Sequence, residues 1–264
     1  MKYYGWGLPF DASVHGAAMD RLIYVIHIFM AVLFVGWLTF LVTALIKFRA
    51  RPNHQADGHE KHFKIPTYLE VGVAIFELIL LIGFSFPIVY QFKNERPEPA
   101  KSLRVRIAAE QFAWNIHYPG PDGKFGKTSL TLMGSSNPLG LDRSDPDAKD
   151  DITTINQLNI PVDKPVIVDL TSKDVIHSFF LPVMRVKQDA IPGQVIPVWF
   201  QATTPGKFEI ACAQLCGLGH YRMRGFLNIF TQVEFDKWLL SKAPKIVPPP
   251  APAVLTPIPA KGTV

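Results

Sequence analysis

Two long apolar stretches dominate the first third of the chain. Residues 22–46 contain no Asp, Glu, Lys or Arg. As a helix this stretch would be about 37 Å long, enough to cross a hydrocarbon core about 30 Å thick. The second stretch, residues 69–90, carries Glu70 near its start and Glu77 in its interior. The pattern predicts a hairpin of two transmembrane helices; two buried core helices of a soluble protein are the alternative reading.

The connector between the two stretches is basic. Basic residues in short loops stay on the cytoplasmic side of a membrane, so both chain termini are expected on the other side. In a bacterium the protein would lie in the inner (plasma) membrane, with everything after the hairpin in the periplasm. The basic positions are Lys47, Arg49, Arg51, Lys61 and Lys64.

Glu70 and Glu77 are seven residues apart and therefore share one helix face. A carboxylate inside a membrane usually faces a partner or a water path. Glu77 would need a partner, most simply another subunit. Glu70 could be either an interfacial carboxylate in headgroup water or part of a proton path.

The region after the hairpin has the pattern of a β domain. Short alternating or β-branched runs are separated by Gly, Pro and Asp turns, which is typical of an antiparallel sandwich or Greek-key barrel. These runs begin at Leu103, Ala113, Pro165, Val195 and Lys207. The prediction is an anchor over residues 1–97, a β domain over 98–242 closed by a short helix at 233–240, and a Pro-rich tail over 243–264.

Charge and cysteine content exclude two classes of function. The net charge of +5 is modest and partly concentrated in the connector, and no basic stripe interleaved with aromatics occurs elsewhere, so nucleic acid is not an expected partner. The chain has only two cysteines. It therefore contains no Cys-x-x-Cys-His motif and no covalently attached c-type haem.

Both cysteines fall in one short segment that has the spacing of metal ligands. Cys212 and Cys216 are followed by His220 and then Met223. Thiolate, imidazole and thioether are ligands that redox-active copper prefers. His177, at the edge of a strand-like run, is the candidate for one more ligand, and we expect it to end that strand.

Three other readings of the segment stay open at this level. The cysteines could form a disulfide in an oxidising periplasm, although that would leave the histidines and Met223 unexplained. Zinc could take two thiolates and two imidazoles but gains nothing from a thioether. A mononuclear copper site needs only one cysteine. The second thiolate therefore favours two coppers bridged by two sulfurs.

With these residues the chain resembles subunit II of the haem-copper oxidases, the cytochrome c oxidase family. The loop Cys212-x3-Cys216-x3-His220-x2-Met223 is similar to the family's binuclear CuA motif, and Asp174-Val-Ile-His177 to the segment that gives its first histidine ligand. Further similar segments are Lys187-Gln-Asp-Ala-Ile-Pro-Gly193 and Gln111-Phe-Ala-Trp114. The resemblance implies a cupredoxin fold for the β domain.

The resemblance also implies roles for individual residues. Cys212 and Cys216 would bridge two copper ions, and His177 and His220 would bind one ion each. Met223 and the backbone carbonyl of Gln214 would be the weak remaining ligands. Electrons would pass to haem held only by the partner subunit I, where oxygen is reduced and protons are pumped. Glu70 falls where the family places a carboxylate near a proton entrance.

Two positions depart from the family pattern. Gln214 stands where a glutamate is common, and an amide cannot give a carboxylate to an interface magnesium ion, so magnesium binding through this residue is not expected. Phe112 stands where a tryptophan commonly receives electrons, whereas Trp114 matches the neighbouring tryptophan. Phe112 and Trp114 are therefore the candidates for the point where electrons enter, from cytochrome c or another periplasmic donor.

The sequence predicts an electron-accepting subunit of a respiratory oxidase, with no complete active site of its own. A membrane-anchored copper carrier or assembly factor is one alternative. The CuA module of a nitrogen-oxide reductase is another, although 264 residues cannot hold a propeller domain beside two membrane spans. Quinol oxidase subunits share the anchor and the fold, but they lack the copper ligands.

Overall fold

The computed structural model describes residues 7–52 and 64–242. The Pro-rich tail predicted at 243–264 lies outside these residues, as does Lys61 in the basic connector. The two predicted membrane helices, the β domain and the closing helix fall within the described residues, whereas residues 1–6 and 53–63 of the predicted anchor do not.

The hairpin consists of two long helical spans. The first is α1 (Gly16–Lys47), and the second is α2 (Ile65–Leu80), a π-helical turn (Leu81–Ser85) and α3 (Phe86–Asn94). Both spans exceed the predicted 22–46 and 69–90, because backbone hydrogen bonding continues into polar residues beyond the apolar runs. The π turn precedes Pro87, which has no N–H to donate to the preceding turn.

The helices are not core helices of a soluble domain. The most apolar window of each span is 0% and 6% buried in this single chain. Within the hairpin, the rings of Phe29 and Phe76 lie 4.4 Å apart. The remaining apolar surface is of the kind that faces lipid or partner helices, which confirms the prediction of a membrane anchor.

Ten strands form a sandwich of two five-stranded sheets. The strand orders are β3-β2-β1-β5-β8 and β4-β10-β9-β6-β7. The pairs β1–β5 and β10–β4 are parallel and the others antiparallel, so the sandwich is mixed and not purely antiparallel. The strands are β1 (Leu103–Glu110), β2 (Ala113–Tyr118), β3 (Ile152–Ile155), β4 (Gln157–Pro161), β5 (Pro165–Ser172), β6 (His177–Leu181), β7 (Val186–Ala190), β8 (Ile196–Gln201), β9 (Gly206–Cys212) and β10 (Arg224–Phe230).

The core lies between the two sheets and follows the alternation of the sequence. In β5, Val166, Val168 and Leu170 are buried, whereas the residues between them are partly exposed. Trp114 and Phe179, from opposite sheets, meet edge to face at 5.4 Å between ring centroids. Burying a large apolar side chain contributes about 1.5–3 kcal/mol, so this shared layer stabilises the sandwich.

Helix α4 (Gln232–Lys242) closes the domain, as predicted from residues 233–240. Its start is a capping box. The Thr231 N–H donates to Glu234 Oε2 at 3.0 Å, and the Glu234 N–H donates to Thr231 Oγ1 at 3.3 Å. This exchange satisfies two backbone donors that a helix start leaves free.

The segment before α1 belongs structurally to the sandwich. The Ala12 N–H donates to the Val183 carbonyl at 2.9 Å, and the Thr203 N–H donates to the Ala12 carbonyl at 2.8 Å. Ala12 is fully buried. These residues were predicted only as part of the anchor over residues 1–97, because they carry no periodic pattern typical of a strand.

Candidate metal centre

Two elements bring the predicted ligands together. His177 is the first residue of β6, which corrects the prediction that it ends a strand. The loop between β9 and β10 carries the rest, with Cys212 as the last residue of β9 and Met223 just before β10. The Cys212 N–H donates to the Met223 carbonyl at 3.2 Å and thereby closes the loop at its base.

The two thiols and the first imidazole form the centre of the cluster. The Sγ atoms of Cys212 and Cys216 lie 3.7 Å apart, well beyond a disulfide bond of about 2.05 Å. His177 Nδ1 is 3.9 Å from Cys212 Sγ. One ligand atom from each of these three residues lies within 4.8 Å of the other two. The disulfide alternative is therefore absent from this structure.

The other predicted ligands surround this centre. His220 Nδ1 lies 3.6 Å from Cys216 Sγ. Met223 Sδ lies 3.6 Å from Cys216 Sγ and 3.2 Å from His177 Nδ1. The backbone oxygen of Gln214 is 3.2 Å from Cys212 Sγ, whereas the residue itself is exposed.

This donor set fits copper better than zinc. The buried thioether of Met223 sits among the sulfurs and imidazoles, where it would add little to a zinc site. The two thiolates lie close enough together to be shared between metal ions. Each sulfur also has its own imidazole neighbour, so the arrangement is nearly symmetric.

The two thiols differ in their readiness to ionise. Burial opposes ionisation of Cys212, but hydrogen bonds from His177 and from backbone groups outweigh it and lower the pKa of that thiol. Burial raises the pKa of Cys216, and the neighbouring Cys212 sulfur raises it further. Two adjacent thiolates repel each other, so full ionisation requires a cation between them.

Asp174 fixes the orientation of His177. Its Oδ1 lies 2.9 Å from His177 Nε2, which leaves Nδ1 directed at the sulfurs. The same carboxylate accepts the N–H groups of Gln111 and Val175 at 2.7 and 2.6 Å. Burial alone would raise the pKa of Asp174, but these hydrogen bonds lower it, so the carboxylate stays charged. This role of Asp174 was not predicted, although a carboxylate three residues before a candidate ligand histidine is a signal for it.

The structure places Phe112 and Trp114 at different depths. Trp114 is 0% exposed, with its ring centroid 6.2 Å from that of His177. Phe112 is half-buried and packs over Gly217 and Gly219 of the metal loop. Phe112 is therefore accessible to a donor protein, whereas Trp114 is interior. Their part in electron transfer stays a prediction.

Glu70 and Glu77 both lie on α2 and are exposed in this single chain. They are outside the metal cluster. Their proposed proton role stays a prediction, since it depends on a partner subunit.

The comparisons with known proteins agree on one family. The model of a family described as cytochrome c oxidase subunit II, periplasmic domain, matches residues 104–241. This range contains every predicted metal ligand.

Two relatives and one solved structure illustrate the similarity. The chain is 31% identical to the alternative cytochrome c oxidase subunit 2 of Bradyrhizobium diazoefficiens over 78% of this chain and 73% of the relative. It is 29% identical to cytochrome c oxidase subunit 2 of Cereibacter sphaeroides over 69% of this chain and 65% of the relative. The crystal structure of the periplasmic domain of subunit II (CoxB) from Bradyrhizobium japonicum is 31% identical, with a TM-score of 0.41, over 55% of this chain and 95% of that chain.

Proposed function

Because the chain belongs to the cytochrome c oxidase subunit II family, we propose that it accepts electrons at a copper centre in a respiratory haem-copper oxidase. It passes them to haem in subunit I, where oxygen is reduced and protons are pumped. The observation that supports this proposal most directly is that two thiols, two imidazoles and one thioether lie next to one another in the structure. The chain supplies no complete active site, so turnover requires the whole complex.

Two copper ions fit this donor set. Cys212 and Cys216 would bridge them, with His177 on one ion and His220 on the other. Met223 and the Gln214 carbonyl would complete the coordination. When bound, the pair supplies one-electron redox chemistry at a single centre. The distances that support the assignment are those between the sulfurs and from each sulfur to its nearest imidazole.

The protein's own contribution is to hold this centre rigid and partly dry. His177, Cys216 and Met223 are buried, so little water reaches the inner side of the cluster. Asp174 locks one imidazole, and the base of the loop is tied between β9 and β10. A site that changes little between redox states needs little rearrangement, which favours fast electron transfer.

Magnesium binding through Gln214 is not part of the proposal. Its side chain is an amide, and Mg²⁺ prefers carboxylate and water oxygens. Its backbone oxygen points towards Cys212, so the residue is assigned to copper alone.

The proposed topology places both termini and the copper domain in the periplasm. Residues before α1 hydrogen-bond to the sandwich, and at the end of α3 the Trp199 Nε1–H donates to the Phe92 carbonyl at 2.8 Å. Both outer ends of the hairpin thus meet the β domain. The basic end, with Lys47 and Lys64, lies at the opposite end of the helices and supports a cytoplasmic connector.

The proposed partners are oxidase subunit I with the other oxidase subunits, and cytochrome c or another periplasmic donor. A copper carrier is the second candidate. Carriers need exchangeable ligands, whereas three of the ligands here are buried in a packed sandwich. Retention of copper during gel filtration with a chelator would favour the oxidase role, and rapid loss would favour the carrier.

Replacement of Cys216 by Ser tests the bridging role. We expect Cys216→Ser to lose the binuclear centre and to stop turnover with cytochrome c, because serine cannot replace a bridging thiolate. Copper content per protein and oxygen consumption measure the effect. Leu218→Ser, at a 97% exposed site in the same loop, is the matched control and should keep its copper. Two coppers and normal turnover in Cys216→Ser would contradict the proposal.

A further inference from the structure

One side chain ties the membrane anchor to the copper-binding sandwich. Arg185 Nε donates to Asp20 Oδ1 at 2.6 Å, and its Nη2 donates to Asp20 Oδ2 at 2.7 Å. Asp20 belongs to the second turn of α1, whereas Arg185 lies in the turn between β6 and β7. This is the only anchor-to-sandwich ion pair within residues 7–52 and 64–242.

The same guanidinium also holds the segment before α1. Its Nη2 donates to the Pro9 carbonyl at 2.6 Å, and its Nη1 donates to the Pro182 carbonyl at 2.6 Å and the Phe10 carbonyl at 3.5 Å. All five N–H donors of the guanidinium are therefore used. The side chains of Arg185 and Asp20 are only 8% and 17% exposed, so water screens the pair weakly.

The backbone conformation of Arg185 indicates that this position requires an arginine for its side-chain contacts and not for the shape of the turn. Arg185 has φ 55°, in the left-handed region that favours glycine. A non-glycine residue there costs free energy, which the surrounding bonds must offset. A residue chosen only for the turn would be a glycine or an asparagine.

Strands β6 and β7 form a β-hairpin whose turn contains Arg185, and its other end carries the candidate metal ligand His177. In the β6–β7 register, Leu181 pairs with Val186 beside the turn, and His177 pairs with Ala190 at the far end. Five residues of strand span about 17 Å. The ion pair thus fixes the turn end of the β6–β7 pair against the anchor, and His177 lies at the opposite end of the same strand pair.

A second set of contacts supports the same junction. The His15 ring packs edge-on against Trp199 and Phe92, at 4.5 and 5.1 Å between centroids. Lys93 Nζ donates to Gln188 Oε1 of β7 at 3.4 Å. The Trp199–Phe92 and Ala12 hydrogen bonds also cross the junction, but they join uncharged groups. Within the described residues, the Asp20–Arg185 pair is the contact across the junction that joins two opposite charges.

We infer that Asp20 and Arg185 are positioning residues that set where the copper centre stands relative to the membrane-embedded haem subunit. The inference rests on the proposed function, since it requires electrons to leave the centre for that subunit. Electron transfer falls steeply with distance, so release of the anchor end would slow transfer and leave the centre itself unchanged.

The test uses the purified oxidase complex with Asp20→Ala, Asp20→Asn and Asp20→Glu. Asp169→Ala is the matched control, because Asp169 pairs with Arg104 at 2.8 Å inside the sandwich and not across the junction. Three quantities are measured: hydrogen exchange of the Ala12 and Thr203 amides, the spectrum and potential of the copper centre, and the rate of copper-to-haem transfer after photochemical electron injection.

In Asp20→Ala we expect faster amide exchange and about a tenfold slower transfer, with an unchanged copper spectrum and potential. Asp20→Glu should restore most of the rate, Asp20→Asn should lie between, and Asp169→Ala should transfer normally.

Faster exchange with an unchanged rate would overturn the inference, as would unchanged exchange or an altered copper potential. Failure of both Asp20→Ala and Asp20→Asn to assemble would also overturn it, in favour of an assembly role. A wild-type complex that passes no electron from copper to haem would instead refute the proposed function.

Discussion

At the scale of single residues, the candidate copper ligands differ in how firmly the protein holds them. His177 is oriented by Asp174 and fully buried, whereas His220 lies in the exposed half of the loop and is only partly buried. Met223 is buried, but a thioether binds copper weakly. We therefore expect the thiolates and imidazoles to decide whether copper binds, and Met223 to adjust its potential.

Replacement of Met223 by Leu separates these two effects. Leucine has nearly the same volume, so the core should repack at a cost below about 1.5 kcal/mol. We expect copper to be retained and its potential to rise, on the order of tens of millivolts, because the oxidised centre loses a donor. Copper analysis and a redox titration measure the two quantities. Complete copper loss would show that the thioether bond is essential for binding.

At the scale of elements, the metal loop is held from outside by the β1–β2 turn. The Gln111 Nε2–H donates to the Cys216 carbonyl at 2.7 Å, and the Phe112 ring covers Gly219. A Cβ added at Gly219 would lie 2.4 Å from an atom of that ring. Contact between the turn and the loop therefore requires a glycine at this position.

Replacement of Gly219 by Ala should displace the loop. We expect a destabilisation of about 1–3 kcal/mol from overpacking and weaker copper binding. Thermal unfolding and copper titration measure these effects. Gly134→Ala is the matched control, since a Cβ there meets nothing within 4 Å. Adding Phe112→Ala to Gly219→Ala should restore copper binding; no recovery would show that the two positions are not coupled.

The same elements show what sequence could and could not predict. The candidate ligands could be singled out because the two cysteines, a histidine and a methionine follow one another at short, regular intervals. The two membrane helices could be predicted because their apolar runs are long. His177 was predicted as the last residue of a strand but is the first residue of β6, since neither hydrophobic period nor strand propensity determines where a five-residue strand begins. The burial of Trp114 and the strand-like pairing of Ala12 depend on partners distant in sequence. No local pattern at those positions could reveal them.

At the scale of the whole molecule, the surface beside the metal loop, which joins β9 to β10, is more apolar than acidic. Leu218 is 97% exposed and Tyr221 is 87% exposed. Arg222 is exposed and lies over the Phe112 ring, with no carboxylate paired to it in the described parts of the chain. The nearby Glu209 is already paired with Arg224 at 3.5 Å. A donor would thus meet a weakly positive, largely apolar surface.

This surface predicts weak salt dependence of donor binding. With a soluble cytochrome c as donor, we expect KM to change by less than about tenfold between low and physiological ionic strength, because few opposite charges are there to be screened. Steady-state oxygen consumption at a series of salt concentrations measures this. Tyr221→Glu, which adds a carboxylate, should steepen the dependence. Binding by the wild-type protein that collapses at moderate salt would contradict the prediction.

The most direct test of the central claim is an EPR spectrum of the full-length chain in detergent, loaded with copper. Residues before α1 pack into the sandwich, so the whole chain is the appropriate sample. We predict hyperfine splitting from one electron shared by two equivalent copper nuclei, as expected for two ions bridged by Cys212 and Cys216. Splitting from a single copper nucleus would contradict the bridged centre and, with it, the assignment of both thiolates to a shared electron-accepting site.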